Sequence, residues 1–225
     1  MKASSYKRIM AYCIDLFIIA IISSLISTVI PKSDLYKEKS NELLEVMEDF
    51  SNQKITDEEY LESVNDISYI VSKESQADTI VSLVITIIYF VVLAYYMNGA
   101  TIGKKMMHIT VVSNDERRLT LNSFLLRSLL VDSILLNILG LLMIMFLTKT
   151  LYLQMFDITS TIFGGLYVVI IAMILFRKDG RGLHDIFSNT KVISTEEVSK
   201  EVEEADIVVK EEPTKLRKKF LKNKK

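Results

Sequence analysis

The sequence predicts an all-α transmembrane fold: a four-helix membrane bundle with an extracytoplasmic helical hairpin and a small cytoplasmic strand-like collar. Three observations carry this. Half of the 225 residues are hydrophobic and the mean hydropathy is +0.30, which is unusual for a soluble domain. The apolar residues gather into runs at 9–30, 79–97, 121–147 and 158–176, each near the roughly 20 residues a helix needs to cross a hydrocarbon core. Only seven Gly and two Pro punctuate the chain, which favours long helices.

The first run opens as "YKRIMAYCIDLFIIAIISSLI". Arg8 and Asp15 stand seven residues apart in it, two helical turns, and so share one face. It is expected to remain a span. It is longer than a signal-peptide apolar region, it contains Asp15, and no A-x-A site follows. Cys13, the single cysteine, excludes a disulfide framework within one chain.

Residues 31–78 carry five Lys against thirteen Asp and Glu. Leu35, Leu43, Leu44, Val46, Met47 and Phe50 recur at helical spacing, and Tyr60, Leu61, Val64, Ile67, Ile70 and Val71 form a second stripe. Thr56 and Glu59 read as a capping box between them. A helical hairpin packed on itself is expected. An acidic, cation-collecting mouth is the functional alternative.

The second run, "TIVSLVITIIYFVVLAYYM", has no polar stripe wider than Ser82, Thr86 and Tyr89. Its connection to the third begins with an Asn98-Gly99 turn, continues through "MHITVV" with strand propensity, and turns again at "SNDE". A phosphate loop is excluded. Only three residues separate Gly99 from Gly103, and Lys105 stands where Ser or Thr is required.

The third run has 27 residues, about 40 Å of helix against a core of about 30 Å. It must tilt or begin in the interface. In the second case Arg127 lies level with Arg8, and Asp132 roughly level with Asp15. "RIMAYCID" and "RSLLVD" then echo one another, each Asp placed to neutralise an Arg on the neighbouring odd span. For Asp15 the first expected partner is Arg127 and the second Arg8. Asn137 reads as interhelical glue, and Lys149 and Asp157 as outer-loop residues.

Orientation follows from basic residues. Lys2, Lys7 and Arg8 lie at the N-terminus, Lys104, Lys105, Arg117 and Arg118 in the middle connection, and 13 basic residues after Phe176. Both termini and the middle connection are therefore expected in the cytoplasm, with 31–78 outside. The tail, 194–225, is polar. An acidic block in it precedes "KLRKKFLKNKK", with seven basic residues in eleven. A solvated disordered tail and adhesion to anionic lipid both fit.

Asp15, Arg127, Asp132 and Asn137 are the odd residues of the spans. A charge at the centre of a membrane helix costs about 2.5–3.5 kcal/mol on insertion scales. Such residues face other helices and find partners, or they work on ions. For Asp15 and Asp132 both readings stay open.

Taken in order, Arg8 with Asp15, "ATIGKKMMHITVV", Arg127 leading the third run, and "RGLHDIFSNTKVI" with His184, Asp185 and Thr190 resemble the RDD family of bacterial membrane proteins. The resemblance covers about residues 6–193. It implies a multi-pass protein of the bacterial cell membrane, with Asp185 as the second Asp of the family's name. It also implies transport of an unidentified ligand, sodium–proton exchange being linked to some members. The acidic 31–78 insertion, the charged tail and "SNDERR", in place of a Gly-rich turn, depart from the family pattern.

From the residues themselves, Gly180 and Gly182 end the fourth helix, "LHDIF" makes a short turn, and "TKVI" is strand-like and able to pair with "ITVV". Asp185 is placed to hold Arg8 or Arg127. His184 and His108 lack a ligand cluster, so no metal is expected. There is no nucleophile elbow and no H-E-x-x-H, so no enzyme and no cofactor is expected, and no nucleic-acid partner. Two functions remain. One is a small transporter or cation/proton exchanger using intramembrane Asp residues, expected to be a homo-oligomer. The other is a scaffold or accessory subunit whose charges lock helices.

Overall fold

The computed structural model describes residues 2–115 and 117–196. In chain order the elements are α1 (Ser5–Ser27), α2 (Asp34–Ser51), α3 (Asp57–Glu74), α4 (Gln76–Tyr96), α5 (Ile102–Met106), β1 (Ile109–Ser113), α6 (Leu121–Val131), α7 (Ile134–Phe146), α8 (Lys149–Phe176), α9 (Leu183–Phe187) and β2 (Thr190–Ser194). The expectations for the acidic block and the basic terminal segment of the tail lie outside the described residues.

Helices α1, α4 and α8 are long and apolar enough to cross a membrane, and α6 with α7 passes the same test as a pair bent by 67°. Large apolar side chains point away from the protein, among them Phe17 and Val168, each 67% exposed. Soluble monomers rarely present such faces, whereas lipid tails accept them.

Two expectations about the spans need correction. The third run is not one helix. It breaks at Asp132 and Ser133, where Ser133 takes a left-handed backbone with φ of 58°. Asp and Ser favour such turns because their side chains compete for nearby backbone groups. Nor is there an outer loop at 148–157: Thr148 directly precedes α8, which begins at Lys149. That first part of α8 is held from the side, by a Lys149–Asp66 ion pair and by Tyr69 edge-on to Tyr152 at 5.4 Å. Helix α4 keeps its course but widens to π-helical turns over Ile88–Leu93.

Helices α2 and α3 form an antiparallel hairpin. Phe50 stacks on Tyr60 at 4.1 Å near the tip, and the Ser33 hydroxyl donates to Glu74 at 2.6 Å near the base. The capping box is formed: the Glu59 N–H donates to Thr56 Oγ1 at 3.3 Å and the Thr56 N–H to Glu59 at 2.9 Å. Asp78 joins this end to α1, accepting from Ser27 at 2.7 Å and pairing with Lys32.

At the other end β1 and β2 pair antiparallel, with Val111 opposite Val192 and Ile109 opposite Ser194. This is the collar expected from "ITVV" and "TKVI". The Ala3 N–H donates to the Val192 carbonyl at 3.1 Å. Ala11, Val91, Phe124, Val111 and Val192 bury a common core beneath the sheet. Gly99 makes the turn into this end possible. Its φ is +91°, and a Cβ there would collide with the Val111 carbonyl.

Candidate functional site

Asp185 lies at the sheet end, fully buried. It occupies the first turn of α9, so its carboxylate accepts from the Gly182 N–H at 3.0 Å. Arg8 donates to one oxygen at 2.5 Å, and Arg127 donates to the other. Arg8 also donates to the Gly180 carbonyl, and Arg127 to Thr190 Oγ1 at 3.3 Å. Helical side chains lean toward the N-terminus of their own helix. Both arginines therefore reach back toward the sheet end, where α9 waits. Burial alone would raise the Asp185 carboxyl, but Arg127 and Arg8 outweigh it and hold it well below the usual carboxylate range. His184, also buried, is held well below its ordinary pKa by burial and by Arg127.

Asp15 has other company than expected. It is fully buried, but neither Arg127 nor Arg8 is its partner. Its carboxylate accepts from the Tyr89 hydroxyl at 2.6 Å, the Thr101 hydroxyl at 2.5 Å and the Gly103 N–H at 2.7 Å. Three donors compensate for burial without a counter-ion. Gly103 allows this approach, because a Cβ there would meet the Ala11 carbonyl and the Asp15 carboxylate itself. Thr101 serves twice, since its oxygen also caps α5 by accepting from the Lys104 N–H at 3.4 Å.

Asp132 ends α6 at the break. It is buried, and one of its carboxylate oxygens has no hydrogen-bond partner. It lines a cavity of about 410 Å³ between α1, α4, α6 and α8. The polar groups around that cavity include Arg8, Lys104, Arg127, Ser128 and Tyr12, and the walls between them are apolar. Ser133 and Tyr167, joined by a 2.8 Å hydrogen bond, lie beside Asp132. Burial, reinforced by the like charge of Arg127, pushes the Lys104 ammonium down to about 8.

The remaining candidates are placed apart. Asn137 lines a smaller cavity of about 180 Å³ with Ser72, Thr79 and Tyr152, on the hairpin side. His108 is exposed near Glu196, whereas His184 borders the large cavity. Tyr89, Thr101, Gly103 and Lys104 carry the site but were not singled out as site residues from sequence. A tyrosine amid an apolar run and the "TIGK" segment were the available signals.

A family model, the RDD family, matches residues 2–189. The chain belongs to this family of membrane proteins, and its apolar helices agree with that. No curated protein and no solved structure matches the chain.

Proposed function

We propose that the protein is a small ion exchanger of the bacterial cell membrane, with Asp132 as the carboxylate that takes and releases a proton or small cation. It spans the membrane four times, α6 and α7 together making the third crossing. Both termini are cytoplasmic, and the α2–α3 hairpin lies outside. The observation that carries the reading is the unpartnered carboxylate oxygen of Asp132 at a helix break beside a cavity. Interrupted helices at membrane depth are tolerated where they line a cavity, and in carriers they form the ion sites. Asp15 and Asp185 have structural roles here, since each already has a full set of donors. No enzymatic chemistry is assigned, and a homo-oligomer is the expected working form.

The second reading, a non-transporting scaffold, draws on the Arg8–Asp185–Arg127 cluster, which joins three segments of the chain without leaving a group to exchange. Proteoliposomes carrying a pH-sensitive dye separate the two. On an imposed sodium or potassium gradient, wild type should move protons and Asp132→Asn should not, while both reconstitute equally. Absence of flux in wild type at several pH values and with several cations would leave the scaffold.

A further inference from the structure

Lys104 and Asp132 are the two charged groups of the large cavity that no salt bridge among the described residues holds. The Lys104 ammonium lies 6.0 Å from the centroid of the Phe90 ring. It forms no hydrogen bond or ion pair among the described residues. Asp132 is only 7% exposed, and its free oxygen is buried. Opposite charges sharing one poorly solvated space would ordinarily close on each other, because an unpaired buried charge is costly. Here the backbone that carries each is anchored elsewhere in the fold. Lys104 rides on α5, anchored by Gly103 to Asp15, and Asp132 sits at the α6–α7 break. The other two cations of the cavity, Arg8 and Arg127, are taken by Asp185.

We propose that this cavity binds a small zwitterion of the α-amino-acid type, with its carboxylate on Lys104 and its ammonium on Asp132. The apolar side group lies against Phe90, Phe124 and Ile170, which belong to the same walls. A simple anion would leave Asp132 unpaired, and a simple cation would leave Lys104 unpaired. A zwitterion satisfies both, and sites built to hydrogen-bond two groups reject ligands lacking one. The volume of about 410 Å³ falls within the roughly 300–1,000 Å³ of small-molecule pockets. This inference rests on the reading of Asp132 as the working carboxylate and names the cation it takes.

The test is equilibrium binding of radiolabelled L-phenylalanine and L-leucine to the full chain in detergent. Phenethylamine, which lacks the carboxylate, and 3-phenylpropionate, which lacks the ammonium, serve as competitors. Phenylalanine should saturate, with each half-molecule competing about tenfold less well or worse, the scale of one charged hydrogen bond. Lys104→Met should let phenethylamine compete as well as phenylalanine, and Asp132→Asn should do so for 3-phenylpropionate. Lys104→Arg and Asp132→Glu should keep the zwitterion preference, which separates ligand loss from misfolding. Equal binding of 3-phenylpropionate and phenylalanine by wild type would overturn the proposal in favour of an anion site. No saturable binding by wild type would overturn it outright. Proton flux without amino-acid binding sinks this inference alone, whereas binding without flux sinks only the exchange reading.

Discussion

Changing Asp185 to Asn keeps its shape and removes its charge, leaving Arg8 and Arg127 facing each other in a buried space. Breaking a buried pair in this way costs about 3–5 kcal/mol, so Asp185→Asn should fail to accumulate, or melt far below wild type in detergent. Asp15→Asn removes no counter-ion, yet it replaces one accepting oxygen with an amide donor among three groups that all donate to the carboxylate. The expected loss is about 1.5–3 kcal/mol, the scale of a hydrogen bond to a charged group. Exchanging Asp15 and Arg127 should rescue nothing, because the two do not pair. Acid sensitivity follows from the same cluster. The His184 pKa is lowered on folding, so below about pH 6.5 the unfolded chain takes up a proton that the folded one refuses, and stability falls. Below about pH 4 the depressed Asp185 carboxyl adds to the loss by the same sign. Melting temperature against pH should therefore slope downward from about 6.5, and His184→Gln should flatten its upper part; an unchanged slope would place the titration elsewhere. That Asp185 serves arginines was legible in its turn and spacing. The partner of Asp15 was not, since charge matching by depth ignores the lean of helical side chains toward their N-termini.

At the scale of elements, the hairpin was readable because the Thr56–Glu59 box and two apolar stripes are local signals. The sheet was readable because "ITVV" and "TKVI" are short and β-branched. The break at Asp132 was not, because a 27-residue apolar run gives the same hydropathy whether straight or bent, and one left-handed serine leaves no periodic mark. The short helix α5 was missed for a related reason: its sequence gives too few turns for a helical period. What holds it is the approach of Gly103 to α1. Gly103→Ala should separate α5 from Asp15 and cost about 1–3 kcal/mol, the usual range for overpacking, read as a drop in melting temperature. An alanine tolerated without change would mean that α5 is not pinned to α1.

On the scale of the whole molecule, charge and packing divide the protein into two ends. The sheet end gathers Arg8, Arg127, Asp185 and Lys104, together with the termini of α1 and α8. The hairpin end gathers Asp78, Lys32, Asp66 and Lys149. Basic connections stay in the cytoplasm during insertion, and the 31–78 segment, with five Lys against thirteen acidic residues, is the one least retained there. With the four crossings proposed here, the C-terminus would return to the side of the N-terminus. If α6 and α7 did not cross together, α8 would emerge on the opposite side and the termini would be separated. Labelling can distinguish these arrangements. In a Cys13→Ser background, cysteine at Ser51, an exposed position at the end of α2, should react with a membrane-impermeant thiol reagent in intact cells. Cysteine at Ser113, on β1 of the sheet end, should react only after lysis, and so should cysteine at Lys178, just past α8. Reaction of Ser51→Cys only after lysis would invert the protein. Surface labelling of both Ser51→Cys and Lys178→Cys, with Ser113→Cys protected, would make the bent pair a re-entrant loop and would also overturn the β1–β2 pairing, which puts Ser113 opposite Thr190.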